Sequence, residues 1–348
     1  MPVVSEYNHV REIYRQAAEL GIGLPVFCAE DRETLEAILA AAYEYGREIG
    51  VDDLPVIPAW TCRYPARSQM MLVTACGDPR LGTELMFSDL KAFTGETSPY
   101  RKLRIMPHLD HAFPWLDGDI LLEYADRFAS VMHDASERPF SENIRLTAEY
   151  VERVRGKVVV EGAVDEILEA GEVGVKNELT TPEQAARFLK ETGVDIIVPN
   201  VGTEHRATAE SVKYMSGRAK EISSKVGKIL CLHGTSSVRP EELHRLPDDG
   251  FIKINLYTTI AVSGGQAVAR NVLQNLGNIF DGKQLEAVVE EEILGKKAFY
   301  TGCDESGTFI KPQLKYVCNP LRRDAWLEAV KNRCKGFFET FNYKMWRI

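Results

Sequence analysis

The residues of this chain that could bind a metal ion are histidines that follow short apolar segments. Only seven histidines occur among 348 residues, and five of them lie at or near the ends of such segments. His111, His205 and His233 follow three different segments that are far apart along the chain. Three imidazoles with one open position are a common arrangement at catalytic zinc ions. The pattern therefore predicts a zinc site, provided that the fold brings these three segment ends together.

Carboxylates accompany the histidines. Asp110 directly precedes His111, so a metal on His111 would place this carboxyl group where it could transfer a proton to or from a bound substrate. The alternative is that Asp110 only orients a metal ligand. Asp134 and Glu161 end the next two apolar segments. Either could orient a ligand, Glu161 could itself reach the metal, and Asp134 is also a candidate substrate-binding residue.

Small and hydroxyl-bearing residues follow the last two apolar segments. Gly234 and Ser236 come after one segment, and Asn255 and Thr258 lie in and after the other. Residues of these types expose backbone N–H groups, and the last two strand-to-helix loops of a barrel often hold phosphate. We expect these four residues to bind substrate, although glycine and serine are also ordinary turn residues.

Eight apolar, β-branched segments alternate with helical patterns, and these elements must position the residues above. Such alternation predicts parallel strands that are joined by helices. Eight units favour a (β/α)₈ barrel of the α/β class, in which the carboxyl ends of the strands converge on one face; an open eight-stranded sheet is the alternative. The predicted strands lie in segments 25–30, 54–61, 103–111, 127–136, 156–164, 195–203, 228–236 and 251–258.

Two further regions lie outside the simple alternation. We expect the barrel to span residues 1–280 and a helical C-terminal extension, packed on the barrel or on a second subunit, to span residues 281–348. The long second connection, residues 62–102, contains Arg63, Arg67 and Arg101 and could cover a site.

Composition excludes several classes of partner. The net charge is −9 and no run of Lys or Arg is present, so we expect neither nucleic acid nor an anionic membrane to bind. No stretch of 18 apolar residues occurs, and the N-terminus lacks the layout of a signal peptide. The seven scattered cysteines, without a C-x-x-C pair, favour free thiols in the cytoplasm.

Five ordered motifs resemble those of the class II, zinc-dependent fructose-bisphosphate and tagatose-bisphosphate aldolases. H-L-D-H at 108–111 is similar to the family's H-x-D-H, and V-M-H-D-A-S with the later E-N-I is similar to the next motif. V-G-T-E-H, L-H-G-T-S and K-I-N-L-Y-T resemble G-T-x-H, H-G-G-S and K-x-N-x-x-T. The resemblance covers roughly residues 20–280, with a weaker likeness near Asn319.

The resemblance implies a role for each matching residue. It implies that His111, His205 and His233 hold Zn²⁺, that Asp110 is the catalytic acid/base, and that Glu161 lies near the metal. It also implies that Gly234, Ser236 and Thr258 hold a substrate phosphate and that Asn255 contacts the reacting part of the substrate. The implied activity is cleavage or formation of a C–C bond in a ketose, through a metal-stabilised enediolate. We expect a homodimer or homotetramer that acts on a sugar or sugar phosphate.

The chain departs from the family pattern where substrate would lie. Arg206 replaces a glycine, and E-G-A-V at 161–164 replaces E-x-E-L-G. The loop that follows reads D-E-I-L-E-A-G-E-V-G, in which Glu169 or Glu172 could serve as the acid/base; we place Glu172 among the candidate catalytic residues. Phe27 lies near an expected asparagine. These departures predict an altered substrate, a ketose-like acid or phosphate that Arg206 helps to bind, with fructose 1,6-bisphosphate a poor substrate.

Other functions stay open at this stage. A metal-dependent hydrolase on the same barrel would usually carry H-x-H on its first strand, and P-V-F-C-A-E contains no histidine. An epimerase or isomerase could use the same zinc chemistry without cleavage, and a degenerate barrel could act as a scaffold. Lys253 is the one lysine that could support a Schiff base instead, although it fits the K-x-N motif better.

Overall fold

Eight short parallel strands form the centre of the molecule. The structure, a computed structural model, describes residues 3–65, 67–166, 179–204, 214–297, 313–317 and 320–347. A ninth strand, β3, has only two residues. The strands are β1 (Leu24–Cys28), β2 (Pro55–Thr61), β3 (Arg104–Ile105), β4 (His108–Ala112), β5 (Ser130–His133), β6 (Val159–Ala163), β7 (Ile196–Val198), β8 (Leu230–Leu232) and β9 (Phe251–Leu256).

The sheet closes on itself. Neighbouring strands pair in parallel in the order β1, β9, β8, β7, β6, β5, β4 and β2, and β1 pairs with both β2 and β9. The predicted (β/α)₈ barrel is therefore confirmed, and the open sheet is excluded. The third predicted segment is divided into β3 and β4 around Pro107, a residue that has no N–H to donate to a neighbouring strand.

Helices follow the strands, and their ends carry the expected signals. Asp31 accepts a hydrogen bond from the Thr34 backbone at one helix start, and Thr181 forms a capping box with Gln184 at another. The helices are α1 (Tyr7–Leu20), α2 (Arg32–Ile49), α3 (Gln69–Leu72), α4 (Pro79–Phe93), α5 (Pro114–Glu123), α6 (Phe140–Val154), α7 (Pro182–Thr192), α8 (Ser216–Val226), α9 (Thr258–Gln274), α10 (Leu276–Ile279), α11 (Gly282–Glu290), α12 (Leu314–Val317) and α13 (Pro320–Thr340).

The barrel strands are buried on both faces, which explains their nearly continuous apolar composition. Helix α1 lies at the amino-terminal end of the barrel, where the Tyr7 hydroxyl donates to Asp195, the residue before β7. Helix α1 therefore does not cover the carboxyl ends of the strands, where an active site is expected.

The chain divides into two compact units. One comprises residues 1–259 with 334–348, and the other comprises residues 260–333. The last 15 residues thus group with the barrel, while the expected boundary at residue 280 stays a prediction. Phe338, for example, packs edge-on against Phe27 of β1 with ring centroids 5.5 Å apart. Among the described residues, no helix is both long enough and apolar enough to cross a membrane.

Candidate active site

A cavity opens at the carboxyl ends of the strands. Residues from the ends of β1, β4, β8 and β9 and from the loop after β2 line it, including Cys28, Asp110, His111, His233 and Asn255. All of these side chains are largely buried. In parallel barrels this face carries the active site, because the loops that follow all eight strands meet there.

His111 and His233 face each other across this cavity. The distance from His111 Nε2 to His233 Nδ1 is 3.1 Å. On the far side of each ring, the other nitrogen contacts a carboxylate: His111 Nδ1 donates to Asp134 at 2.8 Å, and His233 Nε2 donates to Glu161 at 2.9 Å. A carboxylate only accepts, so both outer nitrogens carry hydrogen and both inner nitrogens present lone pairs when the rings are neutral.

Two lone pairs at this separation repel each other unless a cation, either a proton or a metal ion, lies between them. Burial lowers the pKa of both rings. At His111 the charges of Asp110 and Asp134 outweigh burial and raise the pKa, whereas at His233 burial prevails and the pKa is lowered.

The backbone at His111 allows two consecutive residues to face one cavity. In a regular strand, Asp110 and His111 would point to opposite faces. Here the pairing of β4 with β5 shifts register between Leu109 and Ala112, and His111 adopts a φ of +44°. Non-glycine residues seldom adopt a positive φ. The resulting bulge turns the His111 side chain towards the same side as Asp110.

Asp110 is held by both of its oxygens. Oδ1 accepts from the Asn255 amide at 2.9 Å, and Oδ2 accepts from Arg67 at 2.9 Å and from the Cys28 thiol at 3.4 Å. Burial would raise the pKa of Asp110, but the charge of His111, the His108 hydrogen bond and the charges of His233 and Arg67 hold it well below its usual range. These contacts favour the ionised form of the Asp110 carboxyl group.

A buried polar network lies beneath the cavity. The Lys253 ammonium contacts Glu161 at 2.7 Å, Asn255 at 2.8 Å and His108 at 3.1 Å. Glu161 in turn holds His233, and Asn255 holds Asp110. One fully buried lysine thus supports both the histidine pair and the carboxylate. Despite burial, the pKa of Lys253 is raised by nearby negative groups, including Glu161, so the amine stays charged.

The loop after β8 and the start of α9 form the other wall of the cavity. Gly234 has a φ of +67°, and a Cβ there would come within 2.7 Å of the Glu204 carbonyl oxygen. Glycine is needed at this position for both reasons. Thr235 donates to the Asn255 carbonyl at 2.7 Å, while Ser236 and Thr258 are half-buried and line the cavity.

Three further residues at the cavity were not singled out as site residues from the sequence. Tyr64 stacks on His111 with ring centroids 4.8 Å apart, and the Arg67 guanidinium lies 4.0 Å from the ring centroid of Tyr257. The only sequence signal was the long second connection, which contains Arg63 and Arg67. Arg63 pairs instead with Asp119 on α5.

The structure brings together most of the predicted residues that it describes. Asp110, His111, His233, Gly234, Ser236, Asn255 and Thr258 all line the cavity. Asp134 and Glu161 lie behind the two histidines, where they orient the rings. His133 faces away and contacts Thr147 of α6. Glu172, His205 and Arg206, together with Glu169, lie outside the described residues.

Two residues that were expected near the substrate lie elsewhere in the structure. Phe27 does not lie where substrate would bind, since it is fully buried against Phe337 and Phe338, and the next residue, Cys28, lines the cavity instead. Asp134 is not among the described residues that line the cavity. It accepts from His111 and from Ser136, so it faces the protein rather than a ligand.

The donors present fit a zinc ion. Asp110, His111 and His233 offer ligand atoms within 4.8 Å of one another, all buried, and nitrogen and oxygen donors suit zinc. Carboxylates behind metal-binding histidines are the usual means of fixing their tautomers. A second group, Glu161, Cys231 and His233, fits less well, because the Lys253 ammonium already neutralises Glu161 at 2.7 Å.

Fold and site together define a (β/α)₈ barrel with a candidate divalent-metal site at the carboxyl ends of its strands. A family model described as fructose-bisphosphate aldolase class-II matches residues 8–301. Because this match spans most of the chain, the protein belongs to the class II fructose-bisphosphate aldolase family.

Individual relatives are distant. The fructose-bisphosphate aldolase of Geobacillus stearothermophilus is 27% identical over 201 residues, which are 54% of this chain and 67% of the relative. The fructose-bisphosphate aldolase of Staphylococcus epidermidis is 26% identical over 201 residues, which are 54% of this chain and 68% of the relative.

Solved structures extend the likeness across nearly the whole chain. A fructose-bisphosphate aldolase from Campylobacter jejuni superposes with a TM-score of 0.71 at 20% identity, covering 98% of this chain and 95% of the other. The YdjI aldolase from Escherichia coli K12 superposes with a TM-score of 0.64 at 20% identity, covering 95% of this chain and 96% of the other. At this level of identity, the structures establish a shared fold.

Proposed function

We propose that this protein is a zinc-dependent class II aldolase that cleaves or forms a C–C bond in a ketose phosphate or a related anionic sugar. The observation that carries the proposal is the histidine pair: two buried ring nitrogens lie 3.1 Å apart beside Asp110, and a carboxylate behind each ring holds its other nitrogen. Family membership supports the same reaction class.

A zinc ion held by His111 and His233 would stabilise negative charge that develops on a substrate carbonyl oxygen. His205, which the family resemblance implies as a third ligand, remains part of the proposal. Asp134 and Glu161 would act by fixing ring orientation and tautomer. Glu161, whose two oxygens contact His233 and Lys253, is proposed as a positioning residue rather than as a ligand.

Asp110 would carry the proton transfer. In the cleavage direction a hydroxyl proton must leave as the aldehyde forms, and a carboxylate beside the metal ligands can accept it. Asn255 and Arg67 hold the two carboxylate oxygens, so the group is already aimed when substrate arrives. In the synthetic direction the same group returns a proton to the aldehyde oxygen.

The wall formed by Gly234, Ser236 and Thr258 would bind a substrate phosphate. Thr258 begins α9, and the N-terminus of a helix attracts anions because its first backbone N–H groups are free and its dipole is positive there. Gly234 allows the backbone to approach closely, since it carries no Cβ.

Lys253 is unsuited to the Schiff-base alternative. A Schiff base requires a neutral amine that reaches the substrate carbonyl. Lys253 is fully buried, is paired with Glu161 and has a raised pKa. Its contacts support a positioning role.

A substrate panel tests the proposal. Zinc-supplemented protein is incubated with ketose phosphates, bisphosphates and unphosphorylated ketoses, and the products are separated by mass spectrometry. Release of a three-carbon fragment from at least one ketose is expected, with fructose 1,6-bisphosphate a poor substrate. An isomerised sugar without fragments would instead indicate an epimerase, and an unchanged panel with no bound metal would indicate a scaffold.

A further inference from the structure

Arg67 is held in place at the edge of the cavity. The Thr61 hydroxyl, at the end of β2, donates to the Arg67 carbonyl, and the Arg67 N–H donates to the Tyr64 carbonyl at 2.9 Å. The Ser68 hydroxyl donates to the same Tyr64 oxygen at 2.9 Å. These hydrogen bonds hold the backbone from which the Arg67 side chain extends.

The guanidinium of Arg67 has binding capacity that its present contacts do not use. One terminal nitrogen donates to Asp110 at 2.9 Å and to Cys28 at 3.4 Å, and the plane lies over Tyr257. Nε is buried and has no hydrogen-bond partner among the described residues. A guanidinium carries five N–H donors in a planar fork. If Arg67 served only to hold Asp110, several of its N–H donors would have no partner in a largely buried site.

The position of the fork limits what it could bind. Arg67 lies within hydrogen-bond distance of Asp110, the proposed acid/base. A substrate group bound by Arg67 would therefore lie close to the hydroxyl that Asp110 is proposed to deprotonate, as a group on the neighbouring carbon does. In the proposed reaction the phosphate wall of Gly234, Ser236 and Thr258, which lies in the same cavity, would hold the other fragment of the substrate.

We propose that Arg67 determines substrate specificity by binding a carboxylate on the aldehyde fragment, adjacent to the reacting carbon. This proposal rests on the proposed function. The planar fork matches a carboxylate, and the stacked Tyr257 ring keeps the guanidinium oriented. Asp110 need not leave, because Asn255 holds its other oxygen. The acceptor class in the synthetic direction is then a short oxo acid whose aldehyde carbon bears a carboxylate.

The reaction balances without any further reactant. In synthesis, a C–C bond forms between the carbon beside the donor ketone and the aldehyde carbon. The ionised Asp110 carboxylate takes up the proton that the donor carbon loses, gives it to the former aldehyde oxygen and so returns to its starting state. The carboxylate on Arg67 is unchanged, and no group is oxidised or reduced overall.

Two acceptors of equal length test the proposal: glyoxylate, which carries the carboxylate, and glycolaldehyde, which carries a hydroxymethyl group instead. Each is combined with dihydroxyacetone phosphate or dihydroxyacetone, and kcat/KM is measured for wild type, Arg67→Met and Arg67→Lys. Arg67→Met should lower the glyoxylate-to-glycolaldehyde ratio about 10- to 100-fold, the range for a lost charge-assisted contact. Arg67→Lys should restore part of the ratio, because it keeps the charge and loses the fork.

The ratio separates specificity from structure. If Arg67 only supports Asp110, both acceptors lose rate together and the ratio stays unchanged, which overturns the proposal. Arg80→Met is the matched control, because Arg80 is an exposed arginine of α4 that pairs with Glu123. It should leave both rates and the ratio unchanged.

A binding measurement keeps this proposal distinct from the proposed function. Glycolate is titrated calorimetrically into zinc-supplemented wild type and Arg67→Met. The affinity of wild type for glycolate should be at least about 10-fold higher than that of Arg67→Met. If no acceptor reacts but this difference holds, the anion site stands and the aldolase proposal fails; equal affinities overturn the Arg67 proposal.

Discussion

His111 and His233 present ring nitrogens to each other at 3.1 Å, and each ring is held from behind by a carboxylate. The two histidines come from β4 and from the end of β8, 122 positions apart. Because their outer nitrogens donate to Asp134 and Glu161, their inner nitrogens carry the lone pairs that would bind a cation.

The first prediction concerns the metal. Protein purified without chelator should contain about one equivalent of a divalent ion, zinc in first place. His111→Ala and His233→Ala should each lose it, as measured by elemental analysis. His244→Ala, at an exposed histidine, is the control and should keep the metal. Full metal content in either cavity variant would exclude that histidine as a ligand.

The second prediction concerns Asp110. Asp110→Asn should retain the metal but reduce kcat by about 10²–10⁴-fold, the usual contribution of a positioned proton-transfer group. Steady-state kinetics on the best ketose of the panel, with metal content measured in parallel, checks this. Near-normal turnover would mean that Asp110 only orients its neighbours.

The third prediction separates orientation from ligation. Asp134→Asn and Glu161→Gln remove the negative charge behind each histidine but keep its size. Each should weaken metal binding by about 10- to 100-fold without abolishing it, because the ring loses its orienting partner. Competition with a fluorescent zinc chelator measures the change. Complete loss of metal in Glu161→Gln would instead favour direct ligation by Glu161.

The fourth prediction concerns the buried ion pair. Lys253→Met leaves Glu161 buried without its closest cation, which should cost about 3–5 kcal/mol of the free energy of unfolding. Lys253→Met combined with Glu161→Gln should recover much of that loss, since no unpaired charge remains. Urea unfolding of chelated protein, followed by circular dichroism, gives both values. If the single and the double variant lose the same free energy of unfolding, the unpaired charge of Glu161 is not the cause of the loss.

Much of the fold could be predicted from the sequence. Parallel barrel strands are buried on both faces, so each appears as a short apolar run, and eight runs with helices between them leave few topologies. His111, His233 and Asn255 could be assigned to the cavity because each lies at or near the carboxyl end of a strand. The resemblance to class II aldolases supplied the same residues independently.

Other parts of the site depend on geometry that sequence periodicity does not encode. Strand alternation would send Asp110 and His111 to opposite faces, and only the bulge at His111, with its positive φ, brings both into the cavity. Alternation also decides that Cys28 rather than Phe27 lines the cavity, but the phase of a five-residue buried strand is not visible in its composition.

Arg67 illustrates a different limit. The sequence placed it in a long connection that could cover a site, beside Arg63. The two arginines are alike in sequence, yet Arg63 turns to Asp119 of α5 while Arg67 turns to Asp110. Loop arginines are distinguished by which carboxylate they reach, and that depends on the tertiary structure.

The most direct test of the central claim is fragment release before and after metal removal. Zinc-supplemented protein is assayed with a ketose substrate, then chelated until no metal is detected, and then reloaded with zinc. We predict release of a three-carbon fragment, its loss on chelation and its return on reloading. Undiminished cleavage by fully metal-free protein would contradict the account.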